Sequence, residues 1–144
     1  MPAFVDIDAW FVDLWEYAYQ SSDPRHMQIV NLLRKMHRVM FHDVQGALRV
    51  CESALQLIEA VGDLPCAELY TRCHYVDLTV QFTDHPSSVI PQASYNVALA
   101  SKPRYAKCFT RSLAYHGVVA AYALTDDIGY ADEIHSLIDY AGRE

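Results

Sequence analysis

The chain has 144 residues, 52% of them apolar and 20% charged, with a net charge of −7. That length fits one domain with a core of its own, and that balance excludes a disordered tail. The acidic sign, broken only by small basic clusters, argues against nucleic acid as a partner.

Periodicity and capping residues predict about seven helices and no sheet. The first runs from about Ile7 to Gln20, with an apolar stripe at Ile7, Trp10, Phe11, Leu14 and Ala18 and Asp6 or Asp8 as its cap. Ser21-Ser22-Asp23-Pro24 ends it and starts a second helix reaching about Phe41, Pro24 suiting the first helical position. Asp43 caps a third, with the stripe Val44, Ala47, Leu48, Cys51, Leu55, Ile58 and a closing Gly62. A fourth is expected from Pro65 to Phe82, a fifth from Val89 to Ala100, a sixth from Pro103 to Leu124 and a seventh from Ile128 to Tyr140.

Two stretches nearly repeat each other 39 positions apart: Ala67-Glu-Leu-Tyr-Thr-Arg-Cys73 and Ala106-Lys-Cys-Phe-Thr-Arg-Ser112. Self-similarity at that period marks stacked helical hairpins. The organisation read from it is one all-α domain over 1–144: an N-terminal helix (1–23) and antiparallel hairpins at 24–62, 63–101 and 102–142. A compact helical bundle built from the same helices is the alternative.

Tyr115, Val118, Val119, Tyr122, Ala131, His135 and Ile138 fall at the signature spacing of the tetratricopeptide-repeat (TPR) family, and Ala47, Cys51 and Ala54 match its second-helix half. The chain therefore resembles a TPR-like protein over about 27–141, with Val119 where the family usually has glycine. The resemblance implies a short TPR-like solenoid acting as a non-enzymatic adaptor or chaperone for a peptide or helix of another protein. In outline it is similar to the small acidic three-repeat chaperones of bacterial secretion systems. A sensor holding a small ligand in its helical core, or a structural subunit of a larger assembly, are the other readings.

Charge runs in blocks. Residues 1–23 hold five acids and no base, whereas 24–49 hold five bases against one acid and 102–111 hold four bases and no acid. The candidate partner-binding residues are Arg34 and Arg38 on the second helix, Arg72 on the fourth, and Arg104, Lys107 and Arg111 on the sixth. On first helices of hairpins they would line a concave face, where guanidinium groups pair bidentately with the carboxylates of an acidic peptide. The competing expectation is that they pair within the chain, with acids such as Glu68 or Asp77. Trp10, Phe11 and Trp15 make the first helix apolar on more than one side, which points to self-association and a homo-oligomer.

Nothing in the sequence calls for catalysis, a cofactor or a metal. Cys73, His74 and Asp77 form the densest reactive cluster, but neighbours on a helix point about 100° apart and cannot form a nucleophile–base pair. No metal-ligand spacing of histidines or cysteines occurs. The four cysteines, Cys51, Cys66, Cys73 and Cys108, read as reduced buried thiols. With no run long enough to span a membrane and no signal-peptide pattern, a cytoplasmic protein with no membrane partner is expected.

Overall fold

A computed structural model describes residues 7–82 and 86–124. Among them are six α-helices and no strand: α1 (Ile7–Gln20), α2 (Pro24–Val39), α3 (Val44–Val61), α4 (Ala67–Phe82), α5 (Ile90–Ala100) and α6 (Arg111–Leu124), with 3₁₀ turns at Pro86–Val89 and Pro103–Tyr105. The all-α class is as expected, with one helix fewer than expected here. The seventh, at 128–140, lies outside the described residues, as do Ala131, His135 and Ile138 of the repeat signature. None of the helices described is long and apolar enough to cross a membrane.

The first helices form where their caps dictate. Asp23 accepts the Arg25 backbone N–H at 2.9 Å and its carboxylate is gripped by the Arg25 guanidinium, so Pro24 opens α2 with one of the orphan donors satisfied. Hydrogen bonding from Arg25 holds the Asp23 carboxyl down at about 2. Asp43 does the same for α3 through the Gly46 N–H at 2.8 Å. Gly62, at φ 93°, closes α3 in a backbone conformation that favours glycine.

Two expected helix starts are corrected. Pro65 does not open α4: Cys66 adopts a left-handed conformation, φ 65°, and the helix begins at Ala67, where Asp63 Oδ1 accepts the Glu68 N–H at 2.8 Å. Pro103 opens only a 3₁₀ turn, and residues 106–110 form turns before α6 starts at Arg111. The thiol expectation is also corrected for half the cysteines. Cys66 and Cys108 are disulfide-bonded, while Cys51 and Cys73 are free and buried.

The described residues divide into two compact units, one ending at Arg72 and the other beginning at Cys73, with the division falling inside α4. In the first, α2 packs on both α1 and α3. Its interior includes Leu14, Ile29, Leu33, Met36, Cys51 and Tyr70, all essentially inaccessible to solvent. In the second, Val76 and Val80 of α4, Ala93 of α5, and Val118 and Ala121 of α6 gather with Val89 into one apolar cluster. Gly117 permits close approach there, since a Cβ at that position would lie 3.2 Å from Val76 Cγ1.

Candidate functional site

Within the first unit, α1 and α2 run antiparallel: the Phe11 ring lies 5.7 Å from His37, and Tyr17 lies 5.9 Å from His26 at the other end. Between them opens a groove of about 480 Å³. Asp8, Phe11, Val12 and Trp15 of α1 form one wall, and Arg34, His37 and Arg38 of α2 form the other. Arg34, His37 and Arg38 share that wall because i, i+3 and i+4 positions lie on one face of a helix.

The floor is fixed by aromatic packing. Trp10 is buried with its centroid 4.5 Å from that of Tyr70, and its indole N–H donates to the Pro65 carbonyl at 3.1 Å. Phe11, also buried, meets Tyr70 edge-on at 6.1 Å, and the Tyr70 hydroxyl lies 3.3 Å from His37 Nδ1. Burial raises the Tyr70 phenol well above its usual range, so this hydroxyl stays neutral. Trp10 and Phe11 are thus committed to the interior of their own chain. Only Trp15 of the expected self-association trio remains open, 42% exposed and stacked on Tyr19 at 5.0 Å.

The candidate arginines separate by what they touch. Among the described residues, the Arg34 and Arg38 side chains are exposed and make neither hydrogen bond nor ion pair. Arg72 instead pairs within α4, its Nε 3.1 Å from Glu68 Oε1, the in-chain partner anticipated from sequence. Arg104 lies over its neighbour Tyr105 at 4.7 Å from the ring centroid, and Arg111 donates Nε–H to the Ala100 carbonyl at 3.1 Å. Lys107 is exposed in the turn before α6. The structure therefore brings together Arg34, Arg38, Phe11 and Trp15. It places Arg104, Lys107 and Arg111 in the other unit.

Sequence reasoning missed Asp8, Val12 and His37 as groove residues. The signal was present: Asp8, Val12, Trp15 and Tyr19 recur at helical spacing on a line distinct from the buried stripe.

In the second unit Asp77 Oδ1 lies 3.7 Å from His116 Nδ1. Burial raises the Asp77 carboxyl above its ordinary range, with the nearby His116 and His74 pulling it back. Desolvation pushes the Cys73 thiol up to about 12, so it stays protonated near neutrality. No group of three or more metal-binding side chains occurs among the described residues. Comparison with protein-family models, curated proteins and solved structures yields no match to this chain.

Proposed function

We propose that the protein is a protein–protein interaction module whose α1–α2 groove takes an acidic amphipathic helix of another protein. The observation that carries this is the pairing of two guanidinium groups with no partner among the described residues, Arg34 and Arg38, with the open apolar side chains Val12 and Trp15 along one groove. Arg34 and Arg38 sit four residues apart, a rise of about 6 Å, which matches acids at i and i+4 on an incoming helix. Charge-assisted, bidentate contacts fix register, and burial of aromatic surface supplies affinity.

The test is a titration, followed by anisotropy, with a labelled synthetic helix bearing a leucine stripe flanked by glutamates at i, i+4. Binding should weaken at least tenfold in the Arg34→Glu/Arg38→Glu chain, and weaken again as salt rises. Equal binding of a lysine-for-glutamate version of the peptide would sink the proposal. Circular dichroism checks that the variant is folded.

The adaptor role carries a TPR-like architecture with it, and the supporting feature is local: α1 followed by an α2–α3 hairpin in the first unit. The expected compartment turns on Cys66 and Cys108. Disulfides persist in oxidising compartments, so action in a reducing cytoplasm requires both to be thiols there. Alkylation in denaturant without reductant, on protein trapped directly from its native cell, decides between them. Protection of Cys66 and Cys108 from alkylation even after unfolding rules the cytoplasm out.

A further inference from the structure

The outer surface of α1 has its own order. At 100° per residue, Asp8, Val12, Trp15 and Tyr19 form a line about 120° round the helix from the buried stripe. All four are exposed, Tyr19 to 71%. Beyond that line come Glu16 and then Asp13, both exposed, and α1 carries no base at all. On the other side of the line lies α2 with Arg34 and Arg38. Across this pair of helices the surface therefore reads basic edge, apolar line, acidic edge, with Asp8 alone reversing the sign, at the α1 N-terminal end of the groove.

A surface of that order complements itself. We propose that the acidic amphipathic helix filling the groove in the isolated protein is α1 of a second copy, so that the chain forms a homodimer through α1 and α2. This rests on the reading of the groove as a receptor for an acidic helix. A two-fold axis makes one surface serve both copies. If the axis runs along α1, the two helices lie parallel, Val12, Trp15 and Tyr19 meet their own counterparts, and each Asp13–Glu16 edge faces the other copy's Arg34 and Arg38. An antiparallel pairing sets acid against acid and base against base. The charges select the parallel one.

The experiment is sedimentation equilibrium on the full chain from about 1 to 100 μM, a range that brackets an interface of modest size. The expected mass is twice that of the 16.4 kDa chain. Val12→Lys, the pair Arg34→Glu/Arg38→Glu, and the pair Asp13→Arg/Glu16→Arg should each weaken the dimer at least tenfold. Mixing the two charge-reversed chains should restore it as a heterodimer, because both edges then face opposite charge. That recovery separates the proposal from misfolding of any single variant.

Oxidation of a Tyr19→Cys chain should give a covalent dimer, since parallel helices bring position 19 against itself. Antiparallel helices would hold the two sites about 16 Å apart. A monomeric wild type, a dimer indifferent to Arg34 and Arg38, or failure of the mixed chains to associate overturns the pairing, and failure of the Tyr19→Cys cross-link overturns its parallel form. The groove itself is judged separately, on the Asp13→Arg/Glu16→Arg chain, which is expected to be monomeric with its groove intact. If that chain binds the glutamate-bearing peptide, the groove reading survives a failed dimer; if it does not, the groove reading falls as well.

Discussion

The two similar stretches at 67–73 and 106–112 do not fold alike. The first is helical throughout, opening α4, whereas the second is turn as far as Thr110 and becomes helix only at Arg111. Their matched side chains part company accordingly. Buried Thr71 donates its hydroxyl to the Ala67 carbonyl within the helix at 2.7 Å, while buried Thr110 lies 3.1 Å from Cys108 Sγ. Arg72 finds Glu68 one turn back, but the position matching Glu68 is Lys107, so Arg111 turns to the Ala100 carbonyl.

The helix macrodipole accounts for the direction of the split. An N-terminal turn is stabilised by acids and opposed by bases. Glu68 sits in the first turn of α4, and Asp63 caps it from outside. Lys102, Arg104 and Lys107 crowd the corresponding start at 103–107, where cations face the positive end of any helix that forms. The shared motif buries its threonine in both stretches, but Ala67, Tyr70 and Cys73 are buried where Ala106 and Ser112 are exposed and Phe109 is half-buried. The charges at the motif's edge decide the backbone.

The sharpest way to break this comparison is to remove the matched aromatic. Tyr70 is fully buried against Trp10 and Phe11, so Tyr70→Ala should cost about 3–5 kcal/mol. Phe109 is half-buried in a turn, and Phe109→Ala should cost about half as much. Urea unfolding measures both. Equal losses would mean that the two stretches carry equivalent packing despite their different backbones.

That contrast also shows where the sequence was readable. The buried stripe of α1, the Asp23 and Asp43 caps and the Gly62 stop could all be read, because each rests on interactions within a few residues. The start of α6 was not readable from Pro103, since a proline at a first position suits a 3₁₀ turn and an α-helix alike. At the groove, Arg34, Arg38, Phe11 and Trp15 were each singled out, but with separate roles, because only packing of α1 on α2 brings them together. Spacing between cysteines does not encode which are oxidised, and Cys66 and Cys108 escaped for that reason.

The next contrast lies just past the motif, at Asp77 and His116, again 39 positions apart and here in contact. The native carboxyl of Asp77 is raised above its unfolded value of 3.8, so the folded state binds more protons over that interval. Stability should therefore fall as pH rises from about 4 through the native value, and then level off. Asp77→Asn should flatten that fall and stabilise the protein at neutral pH. Thermal melts at stepped pH check it, and an unchanged slope would mean that His116 and His74 fully offset the burial.

A smaller change should sharpen the electrostatic account of the split. Lys107→Glu gives the second stretch both the first-turn acid and the i, i+4 partner for its arginine that the first stretch owns. Helical signal at 222 nm should rise as α6 extends toward residue 107, with a stability gain of about 0.5 kcal/mol. A gain in stability with no gain in helix would show that simple relief of crowding among the bases is at work.

The mildest test runs the other way. Glu68→Ala removes the Arg72 partner but leaves the Asp63 cap, because Asp63 bonds the backbone of residue 68. The Arg72 side chain is 35% exposed, so the pair is screened and its loss should cost only about 0.3–0.5 kcal/mol, less at high salt. Helix content should stay constant, since capping rather than the ion pair holds the start of α4. If helix content instead drops to the level expected for a turn at 67–71, the acid itself is what separates the two stretches, and Lys107→Glu should then show its helix gain in full.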